Sequence, residues 1–149
     1  MSTQKNDVVY SCRFRPRLSF YGQKQAIEDG YLIEAEAIAA LGGVDCPTPR
    51  EAGIIFPVLL SVALFEQYVK PSKEAQEWGQ SLNGRLWDVY WMLSVAARKC
   101  KKGDSFVAFE VIFQDGPATK DKHIVKIWGV CEPGDKGRPT ITLMLPEDY

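Results

Sequence analysis

Arg85 and Asp88 are the two residues of this sequence whose types and spacing best suit acid–base chemistry. They stand three positions apart in GRLWDVYWMLSVAARKC, residues 84–100, where aromatic side chains surround the single carboxylate. Residues three apart are neighbours on a helix. In one interpretation the two side chains pair with each other or tie the helix to a neighbouring loop. In the other, Asp88 is desolvated, has a raised pKa and acts as an acid or base. The adjacent guanidinium favours the first interpretation.

His123 is the only histidine, and it stands where a turn leads into the strand-like run HIVKIWGV. A single histidine excludes a three-histidine zinc site. At such a position a histidine is most often an exposed polar residue. The alternative is a cleft in which His123 joins Arg85 and Asp88, with Glu28 and Asp29, to bind a small ligand or a metal or to act as an enzyme.

Four carboxylates surround a glycine in IEDGYLIEAE, residues 27–36. Paired carboxylates can bind a metal ion or hydrolyse a glycoside. Acids clustered around a helix end are more often a solvated surface, which could resemble nucleic-acid phosphates to a partner protein. We favour the surface interpretation, and we predict no catalytic residue, no metal site and no cofactor. The four residues are Glu28, Asp29, Glu34 and Glu36.

Charge is distributed in blocks along the chain, although the net charge is only −1. Residues 1–27 carry five basic groups and one acid, residues 28–67 carry seven acids and one arginine, and residues 81–102 carry five basic groups and one acid. A nucleic-acid-binding domain usually has a clear basic excess. The sequence also lacks the glycine patterns of nucleotide-binding loops. The blocks therefore favour a protein partner over nucleic acid.

The longest apolar run argues against a membrane protein. Ile54–Phe65 contains twelve residues and a proline, whereas a helix needs about 20 residues to cross a bilayer. The first ten residues, MSTQKNDVVY, lack the apolar core of a signal peptide. The four cysteines form no C-x-x-C pair, which is typical of free thiols in a reducing compartment. We therefore expect a cytoplasmic protein with no membrane partner.

Signals for helices precede signals for strands along the chain. Thr48, Pro49 and Glu51 have the capping pattern of a helix start. The polar segment KPSKEAQEWGQSLN reads as a connection in which Trp78 is the one anchor. The elements predicted before residue 100 are a strand Val8–Phe14, a helix Gln23–Asp29, a strand Tyr31–Ile33, a helix Ala35–Leu41, a short helix after Thr48, a helix Pro57–Val69 and a helix Leu82–Lys99.

The last of these helices has three faces when its residues are placed 100° apart. The first face is assigned to the core, the second is rich in tryptophan, and the third holds the arginine–aspartate pair. The three sets are Leu86, Val89, Tyr90, Leu93 and Ala97; Trp87, Trp91, Ser94 and Arg98; and Arg85, Asp88, Met92, Val95 and Lys99.

The pattern changes to strands after residue 105. The runs FVAFEVIF, HIVKIWGV and TITLML are separated by QDGPATKDK and CEPGDKGRP, which have the composition of turns. Strands joined by short loops form an antiparallel meander. The predicted fold class is therefore α+β, with an N-terminal strand and two or three helices packed on a three-stranded antiparallel meander. We predict one domain over residues 23–149, preceded by an extension over residues 1–22.

Five segments of the chain resemble a known family. They are QAIEDGYLIEA, EAGIIFPVLL, GRLWDVYWML, FEVIF and PGDKGRPTITLMLPEDY. The family consists of small proteins from plasmids, phages and other mobile elements of bacteria, and it is grouped only as a domain of unknown function. The resemblance implies no activity. It implies a mobile-element protein of the bacterial cytoplasm, and small proteins of that origin often bind a host protein, including components of defence systems.

We therefore expect a non-enzymatic module that binds and modulates a host protein complex, for example as an inhibitor of a bacterial defence system in the manner of an anti-CRISPR protein. A homo-oligomer is a further expectation, because the helices have more apolar faces than one sheet face can cover. The alternative function uses the cleft of Arg85, Asp88 and His123. The expected partner-binding residues are Glu28, Asp29, Glu34, Glu36 and Trp78, with Trp87 and Trp91 as further aromatic anchors.

Overall fold

The predicted α+β fold class is confirmed. A computed structural model describes residue 18 and residues 22–101, 103–133 and 138–149. The predicted strand Val8–Phe14 lies outside the described residues, as does most of the predicted extension over residues 1–22. The described helices and strands are, in chain order, α1 Gln23–Glu28, β1 Leu32–Glu34, α2 Ala35–Gly42, β2 Val58–Ser61, α3 Val62–Leu64, α4 Lys73–Glu77, α5 Leu82–Arg98, β3 Phe106–Gln114, β4 Lys122–Pro133 and β5 Pro139–Met144.

The three C-terminal strands form the predicted antiparallel meander. Nine residue pairs join β3 to β4, from Phe106 opposite Val130 to Gln114 opposite Lys122. β4 then pairs antiparallel with β5, with Trp128 opposite Met144. The meander is part of a larger sheet, in which the described residues form five strands in the order β1-β2-β5-β4-β3. In that sheet β3 is the long edge strand and β1 is the short one.

The predicted helix Pro57–Val69 is wrong over its first third, where the chain forms β2. β2 runs parallel to β5, and its four residues are all buried. A short, wholly apolar run has no period that separates a buried strand from a buried helix. The helix starts only after Ser61, whose Oγ accepts a hydrogen bond from the Leu64 backbone N–H (3.1 Å). α3 then widens into a π-helical turn, Phe65–Val69.

Helix α5 packs on one face of the sheet, against β3. It confirms the predicted helix to within a residue, and its predicted core face is correct except at one position. Ala97 is exposed, because the last buried residue of α5 is Ser94 and the final turn extends beyond the core. The buried residues of α5 are Arg85, Leu86, Val89, Tyr90, Leu93 and Ser94.

On the other face of the sheet the coverage by described residues differs between the strands. Over β1 and β2, Ala26 of α1 packs with Leu32 and Leu59 in a small apolar cluster that Leu18 joins. Along β3, by contrast, buried residues alternate with exposed ones. Because side chains alternate between the faces of a strand, Ala108 and its alternate neighbours on β3 lie on an open face directed away from α5.

Two shorter elements lie between the predicted helices. The predicted start at Thr48 is a 3-10 helix, Pro49–Ala52, and the Thr48 backbone N–H donates to Glu51 Oε1 (2.7 Å). The segment read as a polar connection contains α4, whose N-terminal N–H groups are capped by Ser72 Oγ, which accepts from the Ala75 N–H (3.1 Å). At the first start the Glu51 carboxylate bonds back to the Thr48 backbone, as in a capping box, whereas at the second start a serine hydroxyl caps the helix.

Candidate functional site

Arg85 is a buried cation at the centre of a polar cluster. It lies in the first turn of α5 and is 3% exposed. Its Nη1 donates to the Tyr68 backbone oxygen (2.7 Å), and its Nη2 donates to the Gln114 backbone oxygen (3.2 Å) and to Asp115 Oδ1 (2.6 Å). Nε donates to Gln80 Oε1 (3.2 Å). The guanidinium also lies 5.3 Å from the centre of the Phe113 ring.

Asp115 joins Arg85 to His123. Its second oxygen, Oδ2, lies 2.9 Å from Nε2 of His123, whose side chain is half-exposed. The loop that carries Asp115 is itself held in place, because the Asp115 backbone N–H donates to the Asp121 backbone oxygen (3.0 Å). In addition, Gln114 Nε2 donates to the Ala118 backbone oxygen (3.2 Å). The carboxylate therefore stands at a fixed point between two nitrogen-bearing side chains.

A cleft of about 300 Å³ opens beside this cluster. One wall is the π-helical turn together with the residues that follow it. π-helical turns occur often at functional sites, and here the turn supplies the Tyr68 carbonyl to Arg85. The rim is charged on both sides, with an ion pair between Lys70 and Glu66 (3.6 Å). The lining residues are Glu66, Gln67, Lys70, Pro71, Ser72, Arg85 and Asp115.

The predicted pairing of Arg85 with Asp88 is wrong, whereas the predicted tie from this helix to a neighbouring loop is correct. Arg85 is directed toward Asp115, in the turn after β3. Asp88 is exposed on α5. Partial desolvation raises the pKa of the Asp88 carboxyl, and the charge of Arg85 opposes that rise. The structure therefore brings Arg85 and His123 together through Asp115 and leaves Asp88 outside the cluster.

Asp115 is the member of the cluster that the sequence analysis missed. It was read as part of a turn in QDGPATKDK, and it does stand at the end of β3. The available signal was the arginine: a buried guanidinium needs several acceptors. Asp115 is a suitable acceptor, because it directly follows β3, the strand that packs on the same helix.

The four predicted acidic residues are all exposed. Glu28 and Asp29 stand at the end of α1, where Asp29 Oδ1 accepts a hydrogen bond from Gln25 Nε2 (2.9 Å). Glu34 is the last residue of β1, and Glu36 lies in the first turn of α2. Among the described residues, no group of three histidine, cysteine, aspartate or glutamate side chains could hold a metal ion.

Burial argues against nucleophilic chemistry at two further groups. It raises the pKa of the Cys46 thiol, with Glu51 adding to the rise. It also raises the pKa of the Tyr90 phenol, with Cys46 and Glu36 adding to the rise. A reactive thiol or phenol needs the opposite shift, so neither group is activated at neutral pH.

The outer side of α5 carries an exposed aromatic surface. Trp87 and Trp91 stand one helical turn apart, with ring centres separated by 5.8 Å and planes inclined by 21°. They are 38% and 42% exposed. The guanidinium of Arg98 lies 5.4 Å from the centre of the Trp91 ring. We call these three residues the tryptophan face; the sequence analysis grouped them together with Ser94, which is buried.

The chain on either side of the 3-10 helix runs along α5 near this face. At one end Asn83 Nδ2 donates to the Gly42 backbone oxygen (3.3 Å). At the other end Gly53 stands beside Ser94. Large apolar side chains that are exposed adjoin both ends of this segment: Leu41, Val44 and Ile55. Trp78, at the end of α4, is also exposed.

No described helix has the length and apolar character needed to span a bilayer. No curated protein and no solved structure matches the chain. A family model does match, over residues 17–149, and it is described as a family of unknown function, DUF6573. That match covers almost the whole chain and agrees with the resemblance to a domain of unknown function. The chain therefore belongs to the DUF6573 family.

Proposed function

We propose that this protein is a non-enzymatic module that binds a partner protein through the tryptophan face. The observation that carries the proposal is the exposed, stacked pair Trp87–Trp91 with Arg98 against it. Tryptophan and arginine are enriched among the residues that dominate binding energy at protein interfaces. Two adjacent indoles on one helix also form a rigid surface, because their stacking limits the side-chain freedom that binding would otherwise remove.

The charges beside the tryptophan face suggest the chemistry of the partner. Arg98, Lys99 and Lys101 are exposed at the C-terminal end of α5. A complementary partner surface would combine apolar groups facing the indoles with acidic groups facing this end. We further propose that the partner belongs to a host complex in the bacterial cytoplasm, such as a defence nuclease. That part rests on the resemblance to proteins of mobile elements.

The test compares three proteins in affinity capture from extract of the bacterial host: the wild type, W87A/W91A and W78A. The proposal expects a stoichiometric partner with the wild type and with W78A, and its loss with W87A/W91A. Circular dichroism must show that all three fold alike. Loss with W78A alone would move the contact to α4 and the predicted acidic residues. Equal capture by all three proteins would refute the proposal.

A second candidate function is binding of a small polar ligand in the cleft beside Arg85. The observation that favours it is the fixed Arg85–Asp115–His123 arrangement at the edge of a cleft of about 300 Å³. Four of the five guanidinium N–H groups are already used inside the protein. An NMR titration of the His123 ring with inorganic phosphate tests this function. Saturable shifts would support it, and a flat titration would leave the cluster a structural one.

A further inference from the structure

We propose that two copies of this chain associate through strand β3, which joins their sheets into one antiparallel sheet with a two-fold axis beside Phe109. The proposal uses other residues than the tryptophan face, so it stands or falls independently of the proposed function. It rests on the exposed edge of the sheet, on the side chains of the open face and on the way these side chains match when the axis lies beside Phe109.

The edge at β3 offers a long row of backbone groups without strand partners. β3 has nine residues and pairs with β4 alone in the described part of the chain, whereas the opposite edge, β1, has three. A long, exposed edge strand is a template for pairing with another chain. Natural proteins often protect such an edge with charged side chains, prolines or bulges. Within FVAFEVIFQ, residues 106–114, there is no proline and no bulge, and Glu110 is the one charged residue.

The phase of hydrogen bonding identifies which residues face outward. The Cys131 backbone N–H donates to the Ser105 backbone oxygen (2.7 Å). In an antiparallel pair the residues that bond to the partner strand alternate with those that point away, so odd-numbered residues of β3 bond to β4. Even-numbered residues direct their N–H and C=O groups outward. Gln114 agrees with this phase, because its carbonyl accepts from Arg85 rather than from β4. The remaining outward residues are Phe106, Ala108, Glu110 and Ile112.

These four residues are symmetric about Phe109, so the set can pair with itself. A two-fold axis at that position places Phe106 opposite Ile112 of the second copy, and Ala108 opposite its Glu110. Each copy contributes four N–H and four C=O groups, and all of them find partners. Moving the axis to Glu110 would instead place two glutamates directly opposite each other, which is unfavourable. Of these two registers, the side chains therefore favour the one with the axis beside Phe109.

The open face supports the same register. Phe106, Ile112 and Ile124 are 48%, 53% and 61% exposed. In each copy Phe106 stands opposite Val130 of β4, and Ile112 stands opposite Ile124. Pairing about Phe109 joins these into a continuous apolar row across four strands: Val130, Phe106, and then Ile112 and Ile124 of the second copy. The symmetry of the pair generates a second, identical row.

The charged side chains of Glu110 and Lys126 lie between the two apolar rows. Glu110 stands opposite Lys126 within its own chain, and in the proposed register its neighbour in the second copy is Ala108. The resulting row contains Trp128 and Ala108 from one copy and Glu110 and Lys126 from the other. Opposite charges stay adjacent, and a small side chain meets the carboxylate. No like charges face each other across the two-fold axis.

The first test changes charge at a single exposed position. In A108E a new carboxylate would face Glu110 of the second copy, twice per dimer, whereas in A108K an ammonium would face it. We expect sedimentation equilibrium to show a dimer for the wild type and a dimer dissociation constant raised by roughly tenfold for A108E. For A108K the dissociation constant should stay within about threefold of the wild-type value or fall below it. A wild type that stays monomeric at all concentrations, or equal effects of both substitutions, would overturn the proposal.

The second test reads the register by oxidation. F106C/I112C should give a covalent dimer on a non-reducing gel, because opposite residues have Cα atoms about 5.5 Å apart, within disulfide range. The two positions are six residues apart in one strand, which corresponds to about 20 Å, so a disulfide within a single chain is excluded. F106C and I112C alone control for the native cysteines and should remain uncross-linked. A cross-link in E110C, with none in F106C/I112C, would refute the register.

Discussion

Replacing the buried Arg85 by methionine should destabilise the fold more than replacing any other charged residue of α5. R85M keeps an unbranched side chain against Phe113 but removes four hydrogen bonds and an ion pair. Breaking a buried ion pair costs about 3–5 kcal/mol, because the partner is left uncompensated. Asp115 is partly exposed, so water will solvate its carboxylate in the variant, and we expect the lower part of that range.

The assay is urea denaturation of R85M against the wild type, with R98M as the matched control. Arg98 lies on the same helix, and its guanidinium packs on the exposed ring of Trp91, so its substitution should cost about 0.5–1 kcal/mol. For a chain of this size, about 3 kcal/mol corresponds to a fall in Tm of roughly 6–12 °C. The double-mutant cycle of R85M with D115N should show coupling of about 1 kcal/mol or more.

A loss below about 1 kcal/mol in R85M, or one equal to that in R98M, would refute the reasoning. Either result would mean that the polar cluster behaves as a solvated surface pair in solution. Coupling to Asp115 near zero would have a narrower meaning. The loss of stability would then come from the hydrogen bonds to the backbone carbonyls of Tyr68 and Gln114, and the Asp115 carboxylate would not contribute to it.

Three further predictions concern stability. Asp148 is buried and accepts hydrogen bonds from Ser61 Oγ (3.0 Å) and from the Leu145 backbone N–H (3.1 Å). D148A should therefore lower the free energy of unfolding by about 2–4 kcal/mol in urea denaturation. A loss of stability no larger than that caused by replacing an exposed acid such as Glu74 would contradict this prediction. The folded-state pKa of Asp88 is raised above its ordinary value of 3.8, so the protonated form favours folding and stability is lost as pH rises above that value. D88N should therefore be more stable than the wild type at neutral pH. In thermal melts the difference in Tm between the two proteins should vanish near pH 3. A difference in Tm that persists at that pH would contradict the desolvation argument. A Cβ added at Gly129 would lie 2.8 Å from Val107 Cγ1. G129A should therefore lower the free energy of unfolding by about 1–3 kcal/mol. An unchanged Tm would contradict this and show that the neighbouring strand shifts to make room for the methyl group.

The meander could be predicted from the sequence because its determinants are local. Each of its strands has strand-favouring residues, and turn residues separate them. β2 could not be predicted in this way, because it lies between β1 and β5 in the sheet, and neither strand adjoins it in the sequence. VLLS has no alternation to mark it as a strand, since both of its faces are buried.

The candidate sites divide along the same line. The tryptophan face follows from the helical period alone, and the sequence analysis grouped its three residues correctly. The Arg85 cluster depends on contacts between residues that are far apart in sequence. Arg85 donates hydrogen bonds to Tyr68, which precedes it in the chain, and to Asp115, which follows it. The nearest acid in sequence, Asp88, was therefore chosen in place of the nearest acid in space.

The order of strands in the sheet has a consequence for how the chain folds. β5 follows the other four strands in the chain, yet it lies between β2 and β4 and is the only connection between the β1–β2 pair and the β3–β4 pair. Each pair can form early, but they cannot unite until β5 enters between them. That step closes a long loop, which makes it slow. In a chain whose β5 has not yet paired, β2 and β4 would both present open edges, and we expect such a state to be the most prone to misassociation.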